Sequence, residues 1–98
     1  MSASRTPDAI APDLAVARAW FGERRLEPRT WSNEPGFVYG EHDHDYHKIL
    51  FCLAGDIVFH TDDGDLHLRP GDRLDVEPGT RHAATVGANG VTCIEADD

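Results

Sequence analysis

The sequence predicts a single all-β domain, a sandwich or barrel of short antiparallel strands. Three observations predict it. From Gly36 onward, short apolar runs recur at close spacing, each closed by a turn signal such as Pro70-Gly71-Asp72 or Pro78-Gly79. Asp63-Gly64 stands between two such runs and is a strong hairpin signal. The chain has 98 residues, enough for one domain and too few for two.

The elements follow in order. Residues 1–25 read as an amino-terminal arm with a short helix, and residues 26–98 as the barrel. Residues 1–11 are small, polar and interrupted by proline, which predicts a mobile arm. Pro12 suits a first helical position, Leu14 to Trp20 are mostly good helix formers, and Gly22 would end the helix. Arg25 to Ser32 alternates like an edge strand, where Pro28 is tolerable. Asn33-Glu34-Pro35-Gly36 is a turn. Strand-like runs then cover 37–43, 47–54, 56–61, 65–69, 72–77, 81–86 and 90–95, with Ala54-Gly55-Asp56 and Gly87-Ala88-Asn89-Gly90 read as turns. Ile49, Phe51 and Leu53 form an apolar stripe on one face of their run. That face needs a cover, either the amino-terminal helix or a second subunit, so a homodimer is expected.

Charge narrows the partners. Eighteen acidic residues against nine basic ones leave a formal charge of −9. Such a surface repels nucleic acid and anionic membranes, so neither is expected as a partner. No apolar run approaches the roughly 18 residues of a membrane span, and the amino terminus lacks the apolar core of a signal peptide. The expectation is a cytoplasmic protein. Cys52 and Cys93 do not make a disulfide framework and read as reduced, buried side chains.

Three histidines carry the chemistry. Alternate residues of a strand point to one face, so His42 and His44 can aim two imidazoles at one point. His82 follows the turn Glu77-Pro78-Gly79-Thr80-Arg81 and can come from a neighbouring strand. Three converging imidazoles make a metal site with open coordination positions.

These residues resemble the cupin superfamily, small jelly-roll β-barrels with two motifs. The first reads G-x5-H-x-H-x3,4-E-x6-G. Gly36, His42, His44 and Gly55 fall on its places, but Lys48 holds the glutamate place. The second reads G-x5-P-x-G-x2-H-x3-N. Gly71, Gly79 and His82 match, while Glu77 and Val86 replace the proline and asparagine. The resemblance covers about residues 36–95. It implies a jelly-roll barrel and nominates His42, His44 and His82 as ligands of iron, manganese, nickel or zinc.

The fourth ligand is open. If His42 and His44 face inward, so do Tyr46, Lys48, Leu50 and Cys52. A charged Lys48 beside a divalent ion costs about 4 kcal/mol per unit of like charge at 4 Å and an effective dielectric near 20. It must reach the barrel mouth and pair with an acid, lose its proton and so become a base or itself the fourth ligand, or exclude the ion. His47 has the wrong parity and could be a ligand only if a β-bulge turned it inward. Lys48 and Tyr46 are the candidates for moving a proton. Glu41, Asp43 and Asp45 read as a solvated rim, and His60 and His67 as surface histidines. Asp72 reads as a turn acceptor, and Arg73 and Arg81 as partners of surface acids. Trp20, Phe21 and Trp31 read as packing or a lid.

Two functions compete. One is a metal-dependent protein acting on a small anionic molecule, as a dioxygenase, isomerase or hydrolase. The other is a non-enzymatic cupin that binds or senses a small ligand without metal, which the missing glutamate favours. A barrel used only for dimerisation is disfavoured, because buried imidazoles need partners.

Overall fold

The structure, a computed structural model, describes residues 2–98. Its elements are β1 (Ala3–Thr6), α1 (Leu14–Glu23), β2 (Arg29–Asn33), β3 (Val38–His42), β4 (Lys48–Thr61), β5 (Gly64–Leu68), β6 (Arg73–Val76) and β7 (His82–Asp97). The strands pair antiparallel in the order β1-β6-β4-β7-β2, with β3 added to β7 and β5 to β4. This is the jelly-roll barrel that the sequence resemblance implies.

Two long strands hold both halves together. The first part of β4 lies between β6 and the end of β7, and its last part lies between β5 and the start of β7. The sequence reading broke each of these strands in two. The glycine clusters taken as turns are instead bulges, with register shifts at Cys52/Ala54 and Gly55/Ile57. A bulge bends a strand without ending it, so each strand crosses from one half to the other. Gly55 is indispensable there: its φ is +69°, and a Cβ on it would lie 1.9 Å from the Gly90 carbonyl oxygen.

Alternation along β4 sorts its side chains into two cores. Leu50 and Cys52 point into the barrel with Ile57, Phe59, Leu74 and Cys93. Cys52 and Cys93 are opposite partners and free thiols. The neighbouring Cys52 thiol and burial raise the Cys93 thiol. Ile49 and Phe51 point outward and meet Ala17 and Phe21 of α1. The apolar stripe is thus covered within the chain, and the requirement that suggested a second subunit is met by α1.

Helix α1 starts at Asp13, whose carboxylate accepts the Val16 N–H at 3.0 Å, rather than at Pro12. Nor does Gly22 end it. The Arg25 N–H bonds the Gly22 carbonyl and the Leu26 N–H bonds the Phe21 carbonyl. This is a Schellman cap with Arg25 in the left-handed position, at φ +59°. The hairpin also differs by one residue: Thr61 pairs with Gly64, so Asp62-Asp63 form its tip.

The mobile arm is corrected most. Residues 3–6 form β1 on the edge of β6, and residue 1 lies outside the described residues. Backbone pairing holds it, and so does Asp72. That buried carboxylate accepts the N–H groups of Asp8 and Arg69 and pairs with Arg5 at 3.3 Å. Burial raises the Asp72 pKa, but these bonds outweigh it and leave the group below its ordinary value.

Candidate metal centre

His42 ends β3 and His82 begins β7, and the two are opposite partners. His44 lies in the loop after β3 rather than on the strand. Its carbonyl accepts the Gly79 N–H at 2.7 Å, tying that loop to the turn before His82. Ring centroids are 4.3 Å apart for His42 and His82, and 4.9 Å for His44 and either of them. His82 is only 2% exposed, His44 is half-buried and His42 is exposed.

The donor atoms fit an ion. One ring nitrogen from each histidine lies within 4.8 Å of the others. Ligands about 2.1 Å from one ion stand at most about 4.2 Å apart, so small ring rotations close the set. The His42 and His82 Nδ1 atoms donate to the carbonyls of Gly40 and Thr80 at 2.6 and 2.8 Å. A carbonyl only accepts, so the proton sits on Nδ1 and each Nε2 keeps its lone pair. The buried His82 Nε2 and His44 Nδ1 have no hydrogen-bond partner among the described residues. Buried polar atoms are rarely left so. A bound cation would satisfy both.

The electrostatics favour neutral rings. Burial, then the charges of Lys48, His82 and His42, lower His44 to about 4. Burial also lowers His82, although its bond to the Thr80 carbonyl opposes this.

Beside the trio lies a cavity of about 190 Å³. Lys48 and Glu95 provide its charge, and Trp31, Tyr39, Leu50, Phe59 and Ala84 its walls. Lys48 faces inward as strand parity requires, but it does not reach open water. Its Nζ lies 3.3 Å from Glu95 Oε2, and the side chains are 11% and 6% exposed. Glu95 accepts twice more: Oε1 from the Trp31 indole at 2.6 Å, and Oε2 from Arg29 at 2.8 Å. Sequence reasoning missed Glu95. The available signal was an acid at inward parity after Val91 and Cys93 in an apolar run. It also read Trp31 as packing or a lid, whereas Trp31 forms part of the cavity wall.

The other candidates lie elsewhere. No bulge turns His47 inward; its Nε2 bonds Asp75 at 2.9 Å, so it does not join the trio. Tyr46 stacks on His44 at 4.8 Å but does not line the cavity. Burial raises its phenol. His60 pairs with Asp65, His67 with Asp56, Arg73 with Asp75, and Arg81 with Glu41. Trp20 and Phe21 pack on Phe51 under α1.

Comparison with known proteins gives a family match and a set of structural likenesses. The family model described as AraC-like ligand binding domain matches residues 30–93. No curated protein matches the chain. Among solved structures, the chain is similar to the DMSP lyase DddQ from Ruegeria pomeroyi DSS-3, at 25% identity and a TM-score of 0.68. That match covers 74% of this chain and 37% of the lyase, so this chain spans little more than a third of its length. An RmlC-like cupin from Shewanella frigidimarina NCIMB 400 matches at 21% identity and a TM-score of 0.66, covering 74% of this chain and 64% of that one. A double-stranded β-helix domain protein from Klebsiella pneumoniae matches at 22% identity and a TM-score of 0.64, covering 71% and 64%.

Proposed function

The chain belongs to the AraC-like ligand-binding domain family, within the cupin superfamily, and from that premise we propose that it binds a divalent metal and a small anionic molecule. His42, His44 and His82 hold the metal, and the adjoining cavity takes the small molecule. The observation that carries this reading is the pair of buried, unpartnered nitrogens, His44 Nδ1 and His82 Nε2, in a cluster of three imidazoles.

Iron, manganese, nickel and zinc all suit imidazole donors. A bound ion would supply Lewis acidity toward an oxygen of the small molecule. The chain's own residues do the rest. The Gly40 and Thr80 carbonyls orient two rings, and the Gly79–His44 bond fixes the loop bearing the third. Glu95 pairs with Lys48 on the cavity wall. That pairing favours Lys48 as an anion contact over a proton acceptor. The likeness to a DMSP lyase adds elimination to oxygenation, isomerisation and hydrolysis as reactions worth assaying.

A specific observation favours a second reading, a metal-free binding or sensor protein. Lys48 stands where the first motif has glutamate, so its charge opposes an ion nearby. Elemental analysis of chelator-free protein, beside the triple alanine variant of His42, His44 and His82, separates the two. Near-stoichiometric metal that is lost in the variant is expected. No metal, and none taken up on reconstitution, leaves the second reading.

A further inference from the structure

We propose that the cavity selects a small monocarboxylate and that Lys48 is the residue that recognises its charge. This rests on the cavity being the ligand site proposed above, but it does not require the metal.

The argument begins with the charges on one wall. Glu95 is a single buried carboxylate facing two cations, Arg29 at 2.8 Å and Lys48 at 3.3 Å. Arg29 also pairs with Asp97 at 2.9 Å, so the four charges balance, and Lys48 is the lysine or arginine that lines the cavity among the described residues. An ammonium has three N–H groups. Lys48 has Glu95 as its one acidic partner among the described residues, which leaves donors for a ligand. A largely buried cation with spare donors favours an anionic acceptor, because such bonds are roughly twice as strong as neutral ones.

The other walls limit the rest of the ligand. Beyond His42 and His82, which line the cavity on the side of the trio, Trp31, Tyr39, Leu50, Phe59 and Ala84 offer mostly aromatic and aliphatic surface. A polyhydroxylated ligand would lose its water there with few partners in return. A second carboxylate would meet Glu95 and be repelled. The volume of about 190 Å³ is somewhat larger than an apolar cavity of about 150 Å³ that admits benzene. The fitting ligand has one carboxylate and a compact apolar body of about that size.

Glu95 is a positioning residue in this scheme. It sits on β7, and Trp31 and Arg29 of β2 hold its carboxylate, so Lys48 is held before any ligand arrives. Holding a side chain in place beforehand lowers the ordering cost of binding.

The test uses benzoate and benzamide, which share a shape and differ in charge. Each is titrated calorimetrically into zinc-loaded and EDTA-stripped protein. Benzoate is expected to bind roughly ten- to a hundredfold more tightly than benzamide in both forms. Lys48→Met should bring benzoate down to the benzamide level, and Lys48→Arg should recover part of the difference. Equal affinities in the wild type, an unaffected Lys48→Met, or no benzoate binding in either form overturns the proposal. The contrast between ligands needs no variant, so it stands even if Lys48→Met fails to fold. A zinc titration runs beside it. Protein that discriminates benzoate but takes no zinc overturns only the metal reading. Protein that takes zinc but does not discriminate overturns only this one.

Discussion

Lys48 Nζ lies 3.3 Å from Glu95 Oε2 inside the barrel, and the lysine stands at the place where the first cupin motif has its acid. The carboxylate at this wall comes instead from the last strand, beside Leu50, its opposite partner.

Removing that carboxylate leaves Lys48 buried without a counter-charge. Glu95→Gln should lower stability by about 3 kcal/mol, the usual cost of breaking a buried pair from one side. Urea denaturation with matched slopes measures it. A loss under about 1 kcal/mol would mean that water already solvates Lys48.

Acid should act through His44. Its folded pKa of about 4 lies below the roughly 6.5 of an unfolded histidine. The unfolded chain therefore binds the extra proton first. This contribution to stability is complete above about pH 6.5 and is lost as pH falls toward 4. His82, also lowered, acts in the same direction. In ion-free protein, His44→Asn should flatten the dependence of Tm on pH across that window. Parallel curves for the two proteins would count against it.

The metal reading makes its own demand on His44. His44→Ala should lose zinc retention while keeping the wild-type far-ultraviolet circular dichroism. Its ring touches Tyr46, His42 and His82 rather than the apolar core. An unfolded variant, from a parent that binds no metal, would make the histidine structural.

At the bulge, Gly55→Ala should be severe. The new Cβ would sit 1.9 Å from a carbonyl oxygen at φ +69°. A loss of about 3 kcal/mol or more is expected, read as a drop in Tm. Near-wild-type stability would show that β4 and β7 can separate there without cost.

The opposite sign is expected at Arg25. It is exposed and holds the left-handed cap position at φ +59°, which suits glycine better. Arg25→Gly should raise stability by about 0.5–1 kcal/mol. A melt at or below the wild-type temperature would show that the Arg25 side chain is doing more than capping.

Local pattern made the trio legible. The spacing of His42 and His44, and the parity that carries Lys48, Leu50 and Cys52 inward, are properties of one short stretch. The inward parity of Glu95 was legible but its pairing with Lys48 was not, because that depends on a strand more than forty residues earlier. The glycine clusters misled for a related reason. A glycine with positive φ serves a turn and a bulge equally well, and only the partner strand decides which. Strand β1 gave no signal because three of its four side chains are exposed and its hold comes from the backbone.

Strand β7 is the neighbour of β2, β3 and β4, and this orders the molecule's birth as well as its architecture. While a ribosome is still making residues 82–97, those three strands lack their shared partner. The barrel cannot close stepwise from the amino terminus. Its folding must wait for the last strand and then proceed through distant pairings, which places it among the millisecond-to-second folders. Until then its unpaired edges are open to other chains, so its yield in the cell should depend on how fast synthesis reaches Asp97.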